Sequence, residues 1–209
     1  MNTGDVKALT NGEYAVVDIE RIDASNDHVW FSATGRESGR NPYHVYLYLT
    51  KLDGAKPILL TPEDAHHDVR MSSDADWFVD SYSAANLAPV TILRYSDDGR
   101  VAMELTKADI FNLTETGWSS PEVFVIKAAD GETDIYGAIY KPINFDPSKS
   151  YPIIDFSYTG PHTFQFPNAF RRTLSSTIHT IIQIRLVGIA SNVVSIVIEM
   201  SRTSHKVIK

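Results

Sequence analysis

Hydrophobic and polar positions follow short alternating runs through the first half of the chain. The runs are rich in β-branched and aromatic residues and are separated by turn signals. They cover Tyr14–Ile22, His28–Ala33, Tyr43–Leu49, Pro57–Leu60, Trp77–Tyr82, Val90–Tyr95 and Val101–Leu105. Asp53-Gly54 and Asp98-Gly99 lie between runs, and Asp-Gly suits the positive backbone angles of tight hairpins. The pattern therefore predicts meanders of antiparallel strands, without a convincing amphipathic helix between them.

Two stretches of this region look like one unit repeated. Leu9-Thr10 begins the first unit and Leu60-Thr61 begins the second. Val29-Trp30-Phe31-Ser32 in the first corresponds to Asp76-Trp77-Phe78-Val79 in the second. A spacing near fifty residues with about four strands per unit favours β-propeller blades. Since a propeller typically has about 4–8 blades, two units correspond to the last part of one. A small independent β-sandwich is the alternative at this point.

Composition narrows the classes of function. The 209 residues are 43% hydrophobic and 22% charged, which is typical of a globular protein with one or two domains. The formal net charge of -7 argues against a nucleic-acid partner, because phosphate binding needs a basic surface. The chain has no cysteine, which excludes disulfides, thiolate metal sites and a cysteine nucleophile. We expect no cofactor. We also expect no secretory signal, since residues 1–7 lack a basic start and an apolar stretch.

The segment after Ser120 carries the most specific motifs. Pro121-Glu122-Val123-Phe124-Val125-Ile126-Lys127 is followed by Asp130-Gly131, which predicts a hairpin before Ile135–Lys141. The run Tyr136 to Pro161 then contains Tyr-Gly-Ala-Ile-Tyr-Lys-Pro and Tyr-Pro-Ile-Ile-Asp-Phe-Ser-Tyr-Thr-Gly-Pro. This run resembles the start of the catalytic domain of prolyl-oligopeptidase-type serine peptidases, closest to the dipeptidyl peptidase IV branch. Leu60-Thr61 through Pro89 is similar to late propeller blades of bacterial relatives.

The resemblance implies a fold and a domain order. The covered part is expected to be mainly β, with the C-terminal blades of a β-propeller followed by the first strands of an α/β-hydrolase domain. Residues 1–119 would be the partial propeller of about two blades, 120–172 the start of the peptidase domain and 173–209 an atypical tail.

The resemblance also implies an activity. Complete relatives are serine-type peptidases that release N-terminal dipeptides, often after proline, through an acyl-enzyme. They act on peptides with a free N-terminus, commonly form homodimers, and are periplasmic, extracellular or membrane-associated. The triad serine, aspartate and histidine are not identifiable here, and no Gly-x-Ser-x-Gly occurs in the chain. The isolated chain is therefore expected to be inactive, and a non-catalytic β-rich module that binds peptides through its strand edges is the alternative.

Tyr158 is the candidate catalytic residue. An apolar strand delivers it to a Gly-Pro loop, at a strand end where such folds build active sites. The resemblance implies that its hydroxyl stabilises the oxyanion of the acyl-transfer reaction. Gly160 and Pro161 would shape the loop, Gly by permitting unusual backbone angles and Pro by fixing them. On the residues alone, a tyrosine at a strand end is more often a packing residue with its hydroxyl bound to the backbone.

A second cluster, of Asp64, His66, His67 and Asp68, has side chains that can bind zinc. Adjacent side chains of a strand face opposite ways, so we expect no metal there and predict a solvated turn between blades. His162 follows the Gly-Pro pair and is expected to be a surface loop histidine rather than a catalytic base.

The last segment, Thr173–Lys209, differs sharply in composition. It contains no aromatic residue, proline or aspartate, and Glu199 is its only acid. Val193–Ile198 could form the apolar strand that the family has next, but Glu199-Met200-Ser201-Arg202 does not reproduce the family's Asp-Gly-x-Gly turn. A shifted reading frame beyond about Arg172 and a diverged true continuation both explain this change.

Overall fold

The computed structural model describes residues 4, 6–142, 145–157, 167–170 and 194–200. They form two compact units, one within residues 1–83 and 89–107 and the other within 84–88 and 108–209. The first unit holds two four-stranded antiparallel sheets, and the second holds one mixed four-stranded sheet. The change from the first unit to the second lies at residues 107–108. The predicted domain boundary at 119–120 stays a prediction.

All strands of the first unit except the fifth follow the predicted runs. The first sheet has the order β1-β2-β3-β4 and the second has the order β5-β6-β7-β8. Their bounds are β1 Ala15–Asp23, β2 His28–Thr34, β3 Val45–Lys51, β4 Ile58–Leu59, β5 His66–Met71, β6 Trp77–Ala84, β7 Leu87–Tyr95 and β8 Val101–Lys107. Each sheet is a meander of neighbouring strands, as the repeat predicts for a propeller blade.

Strand β5 corrects one prediction. The cluster at residues 64–68 was predicted to be a solvated turn, but β5 begins at His66. His67 and Val69 are buried while Asp68 and Arg70 are exposed, so the segment alternates in the manner of a half-buried strand. The prediction was wrong because His67 has hydrogen-bond partners inside the unit, and a histidine with such partners is readily buried in a strand.

The core of the first unit joins the two sheets. Trp30, Leu47 and Leu49 of the first sheet pack with Val69 and Phe78 of the second. The indole Nε1 of Trp30 also donates a hydrogen bond to the backbone oxygen of Ser96, at 2.8 Å. The buried indole donor is thus satisfied, and the contact adds to the apolar packing of the two sheets.

The outer strands β1 and β8 are interrupted by β-bulges. Strand β1 has one extra residue at Val17 and another at Glu20 relative to β2. Strand β8 has extra residues at Ala102 and Leu105 relative to β7. Bulges twist an edge strand and disturb its row of free backbone groups, so they hinder pairing with a further strand.

The predicted Asp-Gly turns are confirmed. Gly54 and Gly99 have φ values of 88° and 74°. The Oδ1 atoms of Asp53 and Asp98 accept hydrogen bonds from the backbone N–H two residues further on, both at 2.9 Å. The aspartate therefore closes each turn and the glycine supplies its left-handed conformation.

The second unit contains β9 Glu122–Lys127, β10 Asp134–Tyr140, β11 Ile153–Ser157 and β12 Val194–Met200 in the order β11-β12-β10-β9. The Asp130-Gly131 hairpin between β9 and β10 is confirmed, and hydrogen bonds from Thr133 and Glu132 lower the pKa of Asp130 to about 2. Strand β12 confirms the predicted strand in the tail. It pairs antiparallel with β10 and parallel with β11.

A short helix, α1 Phe111–Glu115, was not predicted. Its five residues bury no side chain, so the hydrophobic pattern carries no signal for it. Within the part of the chain that the structure describes, no helix has the length and apolar character needed to cross a membrane.

Candidate functional site

The predicted catalytic segment begins at the end of β11. Ile153–Ser157 pairs parallel to β12, and its last residue immediately precedes Tyr158. Tyr158, Gly160 and Pro161 lie outside the described residues, as does His162. Their predicted roles therefore stay predictions.

A buried polar network lies in the second sheet of the first unit. It consists of Glu63, His67, Asp80 and Arg94, of which the last three lie on the neighbouring strands β5, β6 and β7. The side chains of His67 and Asp80 are fully buried and that of Arg94 is 2% exposed. Glu63 is 31% exposed, so the network reaches the surface at that residue.

Asp80 is the centre of the network. Its Oδ1 lies 2.8 Å from His67 Nδ1, and its Oδ2 accepts a hydrogen bond from Arg94 Nε at 2.9 Å. Nε2 of the same imidazole lies 3.1 Å from the backbone oxygen of Glu63. Both oxygens of this buried carboxylate thus have partners, which an ionised group inside a protein requires.

Arg94 uses each of its nitrogens. Nη2 donates to the Glu63 carboxylate at 2.5 Å and Nη1 donates to the Gly99 backbone oxygen at 2.8 Å, in addition to the bond to Asp80. Burial lowers the pKa of the guanidinium, but the hydrogen bonds and charges of Glu63 and Asp80 outweigh this and raise it. Arg94 is therefore a permanent buried cation.

A second polar group surrounds Asp64. The Oδ1 atom of Asp64 lies 3.3 Å from His44 Nδ1 and accepts a hydrogen bond from the Tyr46 hydroxyl at 3.1 Å. Nε2 of His44 lies 3.4 Å from the Asn41 Nδ2 donor. Burial is the larger effect and lowers the pKa of His44 to about 4, while the negative charge and hydrogen bond of Asp64 oppose this lowering. A neutral imidazole that donates from Nδ1 and accepts at Nε2 satisfies both neighbours.

Ring contacts connect the two groups. The ring centroids of Tyr46 and His67 are 5.5 Å apart, and those of His67 and Tyr82 are 5.4 Å apart. Burial raises the pKa of Tyr46 to about 12, so its hydroxyl stays a hydrogen-bond donor to Asp64 at neutral pH. The predicted cluster is thus split: Asp64 binds His44 and Tyr46, His67 belongs to the network of Asp80, and Asp68 is 67% exposed in an ion pair with Arg70.

We expect acid to weaken the fold through His44. Its folded pKa of about 4 lies below the unfolded value of 6.5, so the unfolded chain binds the proton more readily. The contribution of His44 to the free energy of unfolding is fully present above pH 6.5. It is lost as the pH falls from 6.5 toward 4, and the total loss is at most about 3 kcal/mol. Urea unfolding at pH 7.5 and at pH 4.5 measures the loss. The change between the two pH values should be smaller in His44→Asn, because this variant no longer has the imidazole. An identical change in both proteins would contradict the assignment.

Sequence reasoning missed Glu63, Asp80 and Arg94. Asp80 and Arg94 could have been found from the alternation of core-facing and outward-facing residues along β6 and β7. Asp80 shares a face with buried Phe78, and Arg94 shares one with buried Val90 and Ile92. Opposite charges at core-facing positions of adjacent strands indicate a buried ion pair.

One potential metal-binding group occurs among the described residues. The ligand atoms of Glu63, His67 and Asp80 lie within 4.8 Å of one another. Arg94 already binds both carboxylates, so its guanidinium provides the positive charge that a metal ion would otherwise provide.

Comparison with known proteins finds relatives among the dipeptidyl peptidases. Residues 1–89 match the family model of the dipeptidyl peptidase IV N-terminal region. Dipeptidyl peptidase 4 of Trichophyton equinum is 28% identical over 156 residues, covering 74% of this chain and 20% of that protein. Dipeptidyl peptidase 8 of Mus musculus is 26% identical over 174 residues, covering 78% of this chain and 19% of that protein. The chain thus spans about a fifth of the length of these relatives.

The fold agrees with these matches. The structure of Porphyromonas gingivalis dipeptidyl peptidase 4 superposes with a TM-score of 0.70 at 23% identity, covering 95% of this chain and 26% of that one. The two meanders are therefore propeller blades, followed by the first strands of a hydrolase sheet, which confirms the predicted fold class. These matches support a relationship of the chain to the dipeptidyl peptidase IV family.

Proposed function

We propose that these residues form the last propeller blades and the start of the catalytic domain of a serine-type dipeptidyl peptidase. Its substrates are peptides with a free N-terminus, from which it releases dipeptides, often after proline. One observation carries the proposal: two blade sheets are followed by a mixed sheet whose strand β11 ends directly before Tyr158. The proteins that match most of this chain are named dipeptidyl peptidases.

The chemistry proposed for the complete enzyme is acyl transfer. A serine attacks the peptide carbonyl while a histidine takes its proton and passes it to the leaving amine, and an aspartate orients that histidine. The Tyr158 hydroxyl donates a hydrogen bond to the carbonyl oxygen as it becomes negative. The 209 residues contain no Gly-x-Ser-x-Gly, so this chain alone should hydrolyse no Xaa-Pro amide.

Tyr158→Phe in the complete enzyme should lower kcat by about 10²–10³ with a small change in KM. The loss of one oxyanion donor removes an interaction that forms mainly in the transition state. Steady-state hydrolysis of an Xaa-Pro amide measures both constants.

Tyr151→Phe is the matched control. The Tyr151 hydroxyl accepts a hydrogen bond from the Asp146 backbone N–H at 2.9 Å, so this variant loses a structural contact in the same unit. It should retain nearly all of kcat. Equal kcat values for Tyr158→Phe and the wild type would refute the catalytic role of Tyr158.

The alternative function, peptide docking on exposed strand edges, has less support. Such docking needs a regular row of free backbone groups. Two bulges interrupt each of the outer strands β1 and β8 in the first unit. These bulges favour the peptidase proposal over strand addition at those two edges.

A further inference from the structure

A short exposed segment joins the two units of the chain. Strand β8 ends at Lys107 and β9 begins at Glu122, and helix α1 Phe111–Glu115 lies between them. We propose that residues 109–117, the connecting segment, are a processing site at which an endopeptidase selective for aromatic side chains cleaves the chain after Phe111. The inference concerns the connection between the units and does not rest on the proposed peptidase activity.

The hydrogen bonds of the connecting segment join its own members. The Phe111 N–H donates to Asp109 Oδ1 at 2.8 Å, and Thr114 Oγ1 donates to the Phe111 backbone oxygen at 2.7 Å. The other hydrogen bonds that the structure describes for residues 109–117 are also internal to the segment. Opening of the segment therefore breaks only these few exposed bonds, and regions of this kind open at a small cost in free energy.

Helix α1 has little stability of its own. It has five residues, and helices shorter than about 12–15 residues are marginal in water without tertiary packing. Ile110 at the N-cap position makes no side-chain hydrogen bond, and no helix residue is buried. A protease binds its substrate as an extended strand whose main-chain groups pair with the enzyme. Because α1 packs no side chain into a core, its extension costs no core packing.

Other exposed connections are better anchored by their side chains. In the β2–β3 loop, the guanidinium of Arg36 lies over the ring of Tyr48, 4.8 Å from the ring centroid. In the β10–β11 connection, the rings of Phe145 and Tyr151 stack with their centroids 4.9 Å apart. Cleavage in either loop requires the loss of such contacts, so the connecting segment should be cleaved before them.

Phe111 determines the expected specificity. Its side chain is 63% exposed, and every other aromatic side chain whose burial the structure describes is buried or half-buried. A protease with an aromatic-binding pocket can therefore take up Phe111 without withdrawing a side chain from a core. Hydrolysis adds one water across the bond between Phe111 and Asn112. It leaves a carboxylate on Phe111 and an ammonium group on Asn112.

Cleavage at this position leaves the sheets intact. Strands β1 to β8 precede the connecting segment and β9 to β12 follow it. None of the three sheets that the structure describes combines strands from both sides of the cut. The cut thus removes the covalent connection between the two blade sheets and the mixed sheet without breaking a strand pair.

Limited digestion of the folded 209-residue chain with chymotrypsin tests the site. The first products should be residues 1–111 and 112–209, identified by their intact masses and by N-terminal sequencing of the second. Phe111→Ala should slow cleavage after residue 111 by about 100-fold, because no aromatic ring then fills the pocket of the protease. Phe111→Tyr retains an aromatic ring and should be cleaved at nearly the wild-type rate.

Urea unfolding separates protease specificity from stability. Because α1 buries no side chain, Phe111→Ala should unfold at the same urea concentration as the wild type. A first cut of the wild type at any other position would overturn the proposal, as would cleavage of Phe111→Ala after residue 111 at the wild-type rate. A lower unfolding midpoint for Phe111→Ala would also overturn it, since Phe111 would then belong to a packed core.

Discussion

Arg94→Met should lower the free energy of unfolding of the first unit by about 3–5 kcal/mol. Methionine retains much of the side-chain volume, so the loss arises mainly from the charges. Asp80 has a fully buried side chain and would lose the hydrogen bond to its Oδ2 atom. The Gly99 carbonyl and the Glu63 carboxylate would lose their partner as well. Urea unfolding of the 209-residue chain measures the change.

Two comparisons separate this effect from ordinary salt-bridge loss. Arg70→Met removes an exposed ion pair with Asp68, in which the side chains are 82% and 67% exposed, and it should change stability little. Asp80→Asn added to Arg94→Met removes the orphaned charge, so the double variant should be more stable than additivity predicts. A loss for Arg94→Met no greater than that for Arg70→Met would show that the network contributes little to the fold.

Gly99→Ala should cost the fold about 3 kcal/mol or more, from two causes. A non-glycine residue in the left-handed region costs about 1–2 kcal/mol, and Gly99 has a φ of 74°. A Cβ atom at this position would also lie 2.2 Å from the backbone oxygen of Leu60, and overpacking of this kind typically costs about 1–3 kcal/mol. Movement to relieve the contact would displace the Gly99 oxygen that binds Arg94.

Gly39→Ala is the matched control for this prediction. Gly39 has a φ of 78°, but an added Cβ would have no atom within 4 Å. Its loss should therefore reflect the backbone conformation alone. Urea unfolding of both variants gives the difference, and equal losses would mean that the contact with Leu60 is relieved without cost.

The blade strands could be predicted from the sequence because local pattern and tertiary structure agree there. Trp30 and Phe31 belong to a β-branched and aromatic run, and the Asp-Gly turns fix where the neighbouring strands end. The same reasoning failed for β5, where His67 is buried only because Asp80 and the Glu63 carbonyl lie beside it. Asp80 is 13 residues away in sequence, and its proximity comes from the pairing of β5 with β6, which local pattern does not encode.

The Glu63–His67–Asp80–Arg94 network illustrates the same limit. Arg94 and Glu63 are 31 residues apart in sequence and become neighbours only when β7 takes its place in the sheet. Resemblance to a family indicated the peptidase segment around Tyr158, but it gave no information on this network. The network becomes visible only from the burial of its side chains and the distances between their polar atoms.

The coding sequence beyond the codon for Arg172 tests most directly the proposal that these residues are part of a serine-type dipeptidyl peptidase. It should be redetermined together with the DNA that follows, and translated in all three forward frames. The peptidase proposal predicts an Asp-Gly-x-Gly segment and then a Gly-x-Ser-x-Gly nucleophile motif in one of these frames. A clean stop with neither motif in any frame would contradict it and would favour a non-catalytic propeller module.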